Sequence, residues 1–141
     1  MNNFIFENST KVFFGKGCVK EYLSCWAGKF GERVLLAYGG CSIKKNGIYE
    51  EVTSILEKAG KTVIEFSGIM ANPTYEKVLE GAKIARENEV DWILGIGGGS
   101  VMDCCKAVSL AAISKKDIWK EYWAKPGIID FEPLPLGVIV T

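Results

Sequence analysis

The sequence contains no histidine. A Ser-His-Asp triad, a Cys-His nucleophile and a histidine-based zinc or iron site therefore cannot be built from this chain. The sequence also carries no net charge, because 17 Lys and Arg residues balance 17 Asp and Glu residues. We therefore expect neither nucleic acid nor an anionic membrane as a partner. Any chemistry must come from carboxylates, lysines, a bound cofactor or a segment outside this chain.

Features of membrane insertion and secretion are also missing. No run approaches the ~18 apolar residues of a membrane span, and the N-terminus lacks the basic region, apolar core and cleavage site of a signal peptide. These absences predict a cytoplasmic protein. The five cysteines are odd in number and form no C-x-x-C motif, which favours free thiols over a disulfide framework.

The residues that are present suffice for one α/β domain covering residues 1–141. The chain is long enough for a real core, since 48% of its 141 residues are apolar. Apolar runs of strand length alternate with segments of helical apolar spacing, which predicts a mostly parallel, Rossmann-like sheet with helices on both faces. The predicted strands are residues 33–38, 62–66, 92–96 and 136–141, and the predicted helices are residues 19–27, 44–60, 72–85 and 101–112.

Both ends of the chain suggest contacts beyond it. Two short apolar runs precede the first helix, at residues 4–6 and 12–14, and predict two short strands. An early strand pair leaves an edge free for pairing, so we expect a homodimer formed through these strands. At the other end, the chain stops at Thr141 directly after a predicted buried strand. A natural domain seldom ends in this way, so we expect a truncated chain.

The sharpest motif is a glycine-rich turn between the third predicted strand and the next helix, Gly97-Gly98-Gly99-Ser100. Glycines at such a turn let backbone N–H groups approach a phosphate, and the helix N-terminus adds partial positive charge. We expect the Ser100 hydroxyl to cap the helix. The motif is neither G-x-G-x-x-G nor a P-loop, and a tight turn without a ligand is the alternative. Asp103 lies one turn into this helix, where either a cofactor contact or the helix dipole explains an acid.

A second glycine-rich turn, residues 39–42, follows the first predicted strand. An Asp or Glu at such a position commonly binds the ribose hydroxyls of NAD(H). No acid lies between Tyr38 and Tyr49, and Lys44 and Lys45 are there instead. This composition favours the 2′-phosphate of NADP(H). The alternative is that the two lysines belong to a solvated first turn of the next helix.

The motifs together resemble one family. Residues 97–107 (GGGSVMDCCKA) are similar to the GGGSxxD-x-x-KA motif of the iron-containing (group III) alcohol dehydrogenases. Residues 38–47 (YGGCSIKKNG) resemble the corresponding stretch of the NADPH-dependent butanol dehydrogenase branch, except that Cys41 stands where that branch usually has glycine. The resemblance covers essentially the whole chain. It implies an N-terminal α/β dinucleotide domain, followed in the complete enzyme by an all-helical domain that is absent here.

The resemblance also implies which residues bind the cofactor. Gly98, Gly99 and Ser100 would hold the pyrophosphate, and Asp103 would lie near the nicotinamide. The 2′-phosphate would be held at the second turn, where Gly39 replaces the Asp of NAD-preferring relatives. Asn72 and Thr141 would line the same cleft. The implied cofactor-binding residues are Gly39, Gly40, Ser42, Asn72, Gly97, Gly98, Gly99, Ser100, Asp103 and Thr141.

No catalytic and no metal-binding residue is expected in this chain, because the family's metal ligands, one Asp and three His, lie in the helical domain. Iron or another divalent metal such as zinc is expected only in the full-length enzyme. That enzyme would transfer hydride between NADP(H) and a primary alcohol or aldehyde, whereas this chain alone would be inactive. One alternative is a stand-alone nucleotide-binding module or pseudo-enzyme. Another is a chain like dehydroquinate synthase or glycerol dehydrogenase, against which residues 38–47 argue.

Overall fold

A sheet of four parallel strands forms the centre of the computed structural model, which describes residues 8–124 and 128–141. The strands lie in the order β2-β1-β3-β4. They are β1 (Arg33–Tyr38), β2 (Thr62–Phe66), β3 (Trp92–Gly97) and β4 (Leu136–Val140). The helices are α1 (Cys18–Ala27), α2 (Ser42–Lys45), α3 (Ile48–Lys58), α4 (Tyr75–Glu87) and α5 (Gly99–Ile113), followed by a π-helical turn (Trp119–Trp123). The predicted parallel α/β fold is confirmed.

Helices cover both faces of the sheet, as predicted. Leu35 and Ala37 of β1 pack in one apolar cluster with residues of α4 and α5. Val34 and Leu36 pack in a second cluster with residues of α1 and α3. Every residue of β3 is buried, because a central parallel strand is covered on both sides. This explains why the sequence shows a continuous apolar run there instead of alternation.

Individual turn residues decide where the helices begin and end. The single helix predicted over residues 44–60 is wrong, because Gly47 adopts a left-handed φ of 79° between α2 and α3. Asn46 stabilises the restart, since its Oδ1 accepts a hydrogen bond from the N–H of Ile48 at 3.2 Å. The helix predicted after Asn72 begins at Tyr75, where Thr74 Oγ1 caps it by accepting from the N–H of Lys77 at 3.3 Å. No helix among the described residues combines the length and apolar character needed to cross a membrane.

The segment before α1 differs from the prediction. The strand expected over residues 12–14 does not form, and residues 8–14 have no regular secondary structure. A strand needs a neighbour for its backbone groups, and within the described part of the chain no strand pairs with this segment. Phe13 instead stacks on Tyr22 of α1 with ring centroids 4.8 Å apart, whereas Phe14 is 98% exposed. The other predicted strand, residues 4–6, lies outside the described residues.

All five cysteines have free thiols, as the sequence predicts. Cys104 and Cys105 of α5 are both buried, since this helix packs against the sheet and against α4. Burial raises the pKa of Cys104 to about 11 and that of Cys105 to about 12. Both thiols therefore remain protonated at neutral pH and act as small apolar packing groups.

Candidate functional site

The two glycine-rich turns lie side by side at the carboxyl edge of the sheet. Strands β1 and β3 are neighbours, with Tyr38 opposite Ile96, and each of these residues is followed by a glycine turn. The chain passes from β1 to β2 on one side and then returns to β3 on the other. In open parallel sheets, ligands bind in the crevice at such a reversal of strand order. The fold therefore brings together two motifs that are far apart in the sequence.

The glycines of the turn at residues 97–100 have two separate roles, one at Gly97 and another at Gly98 and Gly99. Gly97 has a φ of 157°, and a Cβ there would lie 2.6 Å from Val101 Cγ2, so a side chain is excluded by the backbone and by the core. Gly98 and Gly99 have no such internal constraint, because a Cβ on either would meet no described atom within 4 Å. Both are exposed. Their missing side chains leave open space outside the protein, as a ligand approaching the backbone needs.

The N-terminus of α5 has free donors at this turn. Gly98 is the N-cap residue and no side chain caps the helix, so the prediction that Ser100 caps it is wrong. Ser100 is the second residue of the helix, whereas a capping side chain belongs to the N-cap residue itself. The N–H groups of Val101 and Met102 both donate to the Gly98 carbonyl at 3.1 Å, whereas those of Gly99 and Ser100 donate to no acceptor in the described part of the chain. Free N–H groups and the helix dipole together suit a phosphate.

Asn72 is brought to the same turn. Its backbone N–H donates to Ser100 Oγ at 3.4 Å, and its φ of 52° is one of two left-handed values for non-glycine residues among the described positions. Asparagine tolerates this conformation better than most residues. Thr141 is placed on the other side, since its N–H donates to the Gly97 carbonyl at 3.3 Å. Asn72 and Thr141 therefore both contact residues of the glycine turn, beside the opening at exposed Gly98 and Gly99.

The second turn is held against the segment that follows β2. The N–H of Gly68 donates to the Gly39 carbonyl at 2.9 Å, and the N–H of Ile69 donates to the Tyr38 carbonyl at 3.3 Å. A Cβ on Gly39 would lie 3.0 Å from the Ile69 carbonyl oxygen, a tight contact, whereas a Cβ on Gly40 would meet no described atom within 4 Å. Ser42 is exposed at the start of α2. The backbone of this turn is therefore held in place at Gly39, whereas Gly40 and Ser42 are accessible from outside the protein.

Lys44 is not free beside this turn. Its Nζ lies 3.7 Å from Glu65 Oε2, and 4.4 Å and 5.5 Å from the ring centroids of Tyr49 and Tyr38. Glu65 also accepts hydrogen bonds from the Tyr38 hydroxyl, at 2.5 Å, and from the Tyr49 hydroxyl. The hydroxyls of Tyr38 and Tyr49 hold the pKa of Glu65 below its ordinary value, with Lys44 adding to the effect. The bond to Glu65 raises the pKa of Tyr49 to about 12.

Sequence reasoning missed Glu65. The stretch between Tyr38 and Tyr49 contains no acid, but β2 pairs with β1 so that Glu65 lies opposite Leu36. The carboxylate therefore comes from the neighbouring strand. The signal in the sequence is weak: Glu65 is the one charged residue of the strand TVIEF, and its exposure in the structure means that burial does not demand a partner for it.

Asp103 lies at a groove beside the first turn. Its side chain is 73% exposed and pairs with Lys106, with Nζ and Oδ1 3.5 Å apart. The groove has a volume of about 280 Å³ and is lined by α4, α5 and the π-helical turn through Pro73, Tyr75, Val78, Asp103, Cys104, Ala107, Trp119 and Trp123. Pro73 follows Asn72 directly, so the groove opens next to the contact between Asn72 and Ser100. The structure thus places Asp103 close to the opening, with its carboxylate in solvent.

The described residues do not fit a metal ion. Across residues 8–124 and 128–141, no group of three or more His, Cys, Asp or Glu side chains is arranged to hold one. The metal that the family resemblance implies therefore has no ligand set in this part of the protein, and we assign no metal-dependent step to it.

The comparison with known families identifies the family of the chain. The family model for iron-containing alcohol dehydrogenase matches residues 9–141, which include both glycine turns, Asn72 and Thr141. The chain belongs to the iron-containing alcohol dehydrogenase family. The resemblance to this family is thereby confirmed, and the whole described sheet lies within the matched range.

Individual relatives agree with this assignment. The chain is 44% identical to NADH-dependent butanol dehydrogenase A of Clostridium acetobutylicum and 36% identical to the NADPH-dependent aldehyde reductase YqhD of Escherichia coli. Both alignments cover 100% of this chain and 36% of the relative. Among solved structures, NADH-dependent butanol dehydrogenase A of Thermotoga maritima superposes with a TM-score of 0.87 at 39% identity, covering 100% of this chain and 35% of that one. The chain thus spans about a third of the length of these iron-containing alcohol dehydrogenases.

Proposed function

We propose that this chain is the cofactor-binding part of an NADP(H)-dependent alcohol dehydrogenase or aldehyde reductase that acts on a primary alcohol or aldehyde. The observation that carries the proposal is the open glycine turn at the N-terminus of α5. There, Gly98 and Gly99 leave the backbone accessible, and the N–H groups of Gly99 and Ser100 have no acceptor in the described chain. Two negatively charged phosphates linked as a pyrophosphate match these donors.

Each residue of the opening has a role in this proposal. Gly97, Gly98 and Gly99 let the pyrophosphate reach the backbone, and Ser100 adds a hydroxyl that the Asn72 N–H holds in place. Thr141 and Asp103 line the part of the cleft that receives the nicotinamide. The bound cofactor supplies or accepts the hydride, and the residues of this chain bind it and fix its orientation.

The preference for NADP(H) is proposed from the second turn. Gly39, Gly40 and Ser42 leave room for an adenosine 2′-phosphate, and Gly39 has no carboxylate to repel it. Lys44 and Lys45 add positive charge next to the turn. Of the three relatives named above, two are NADH-dependent and one is NADPH-dependent, so the support for this part of the proposal is the composition of the turn and not the relatives.

The rest of the activity is proposed for the longer protein. Iron or another divalent metal such as zinc would be held by the helical domain that the family resemblance implies, where it would act as a Lewis acid on the substrate oxygen. We also propose a homodimer formed through the N-terminal segment. Its support in the described residues is apolar exposure, since Phe14 is 98% and Val12 is 76% exposed.

Fluorescence titration of the 141-residue chain with NADPH and NADH tests the cofactor site. Binding of NADPH is expected to change the nicotinamide emission and to be weakened strongly by Gly99→Val, which places a branched side chain at the open backbone. Lys58→Gln is the control, because Lys58 lies exposed at the far end of α3. Binding that is unchanged by Gly99→Val would contradict the proposed pyrophosphate position. Tighter binding of NADH than of NADPH would contradict the proposed preference.

A further inference from the structure

The ion pair between Lys44 and Glu65 lies at the mouth of the second glycine turn. Lys44 belongs to α2, which begins at Ser42 immediately after the turn. Glu65 precedes the last residue of β2, and the chain after β2 is hydrogen-bonded along the same turn through Gly68 and Ile69. A phosphate bound at the turn would therefore lie near both charges.

We propose that Glu65 sets how strongly this turn prefers NADP(H) over NAD(H), by holding the Lys44 ammonium in an ion pair that a 2′-phosphate has to share. The inference rests on the proposed function, because it requires the adenosine end of the cofactor to lie in this turn. The phosphate is attracted by Lys44 and repelled by the carboxylate next to it. An unphosphorylated ribose carries no charge, so it has neither this attraction nor this repulsion and responds much less to the ion pair. Glu65 therefore lowers the affinity for NADP(H) selectively.

The surroundings keep this arrangement in place. The rings of Tyr49 and Tyr38 lie under the Lys44 ammonium, which favours its position over them. The hydroxyls of the same two tyrosines donate to Glu65 and stabilise its charged form. The side chains of Lys44 and Glu65 are 43% and 44% exposed, so a phosphate reaches them without disturbing the core. Glu65 is thus a positioning residue that acts on the cofactor through Lys44.

Calorimetric titration with 2′,5′-ADP and 5′-AMP tests the proposal, since these two nucleotides differ only in the 2′-phosphate. Glu65→Gln removes the charge and keeps one oxygen that can accept from one of the two tyrosines, whereas its NH2 group takes the place of the oxygen that accepts from the other. The substitution is expected to tighten 2′,5′-ADP binding about 3- to 10-fold, the order expected for one nearby charge in partly solvated surroundings, and to change 5′-AMP binding little. Glu65→Asp is expected to keep the wild-type ratio of the two affinities. Glu57→Gln, the same change at an exposed site late in α3, is the matched control.

The role of Lys44 is tested by combining substitutions. Lys44→Gln is expected to weaken binding of 2′,5′-ADP and not of 5′-AMP, and in its presence Glu65→Gln is expected to lose most of its effect. An affinity ratio that does not change in a folded Glu65→Gln variant would overturn the proposal. The proposal would also be overturned if Glu65→Gln tightened 2′,5′-ADP binding by the same factor in the Lys44→Gln background. If Glu65→Gln does not fold, Lys44→Gln alone tests the proposal. An unchanged ratio of the 2′,5′-ADP and 5′-AMP affinities in Lys44→Gln is incompatible with a lysine that Glu65 and the 2′-phosphate share.

The same titration separates this inference from the proposed function. If the wild-type chain binds 5′-AMP as tightly as 2′,5′-ADP, the proposed preference for NADP(H) is wrong, whereas a selective gain in Glu65→Gln still supports the role of Glu65. If the wild type prefers 2′,5′-ADP and Glu65→Gln leaves that preference unchanged, the cofactor proposal stands and the inference about Glu65 is wrong.

Discussion

The backbone N–H of Asn72 donates a hydrogen bond to the hydroxyl of Ser100 at 3.4 Å. The contact joins the loop that leads from β2 to α4 with the first turn of α5. It uses one lone pair of the Ser100 oxygen, and the hydroxyl proton remains available for a ligand. Asn72 adopts a left-handed φ of 52° to make it. The position of Ser100 at the candidate site thus depends on a loop that is distant in sequence.

Ser100→Ala and Gly99→Val should both weaken NADPH binding, the second more than the first. The loss of one hydroxyl contact costs about 1 kcal/mol, whereas valine blocks the approach to the backbone itself. Fluorescence titration measures both affinities. Equal effects of the two substitutions would contradict a site built mainly from backbone N–H groups.

Gly39→Asp should reverse the preference for NADP(H). The new carboxylate would face the 2′-phosphate, at a cost of about 1–3 kcal/mol by analogy with like charges at binding interfaces. Gly39→Ala is the necessary control, because any Cβ at this position lies 3.0 Å from the Ile69 carbonyl oxygen. The reversal should appear only with Asp when NADPH and NADH are titrated in parallel. A loss that is equal in both variants would mean that sterics alone explain it.

Self-association should depend on the N-terminal segment. Deletion of residues 1–8 is expected to shift the chain to a later elution volume in size-exclusion chromatography, because the apolar segment that includes exposed Val12 and Phe14 would lose its pairing partner. Monomeric elution of both forms would refute the prediction. Light scattering on the same column gives the mass independently.

The 141-residue chain should not reduce butanal with NADPH. The chain contains no histidine, and its described residues offer no group of three or more side chains to hold the Lewis acid that this chemistry uses. The assay is NADPH oxidation at 340 nm with added Fe²⁺ or Zn²⁺, beside an enzyme-free control. Turnover that follows the purified chain through a column would show that this chain carries the chemistry.

Glu65→Gln should reduce stability at neutral pH and not in acid. The pKa of Glu65 is lowered in the folded state from a reference value of 4.5, chiefly by the hydroxyls of Tyr38 and Tyr49. Its contribution is therefore fully present above about pH 4.5 and is lost as the pH falls through the folded pKa. Urea unfolding at pH 7 and pH 3 measures the free energies of unfolding. A difference between wild type and variant that is as large at pH 3 as at pH 7 would contradict this.

Most of the architecture follows from the local pattern of residue types along the chain. The four strands lie within a residue of their predicted ranges, since apolar runs such as residues 33–38 and 92–96 are long enough to fill a parallel strand that is covered on both faces. Both glycine turns follow their strands as predicted. The family is also recognisable from these turns alone. Local residue spacing suffices to predict these features, because an apolar residue type indicates a buried position and glycine indicates a position with greater backbone freedom.

The contacts between residues that are distant in sequence follow from the packing of the fold. The sequence does not show that the strand order places β1 between β2 and β3. It therefore does not show that Glu65 forms an ion pair with Lys44. It also predicted Ser100 as a helix cap, whereas the loop carrying Asn72 binds this hydroxyl. A strand at residues 12–14 was predicted from apolar residues and does not form, because backbone hydrogen bonds require a neighbouring strand and not only a suitable composition. Pairings between distant segments depend on how the helices pack the sheet, which no local pattern contains.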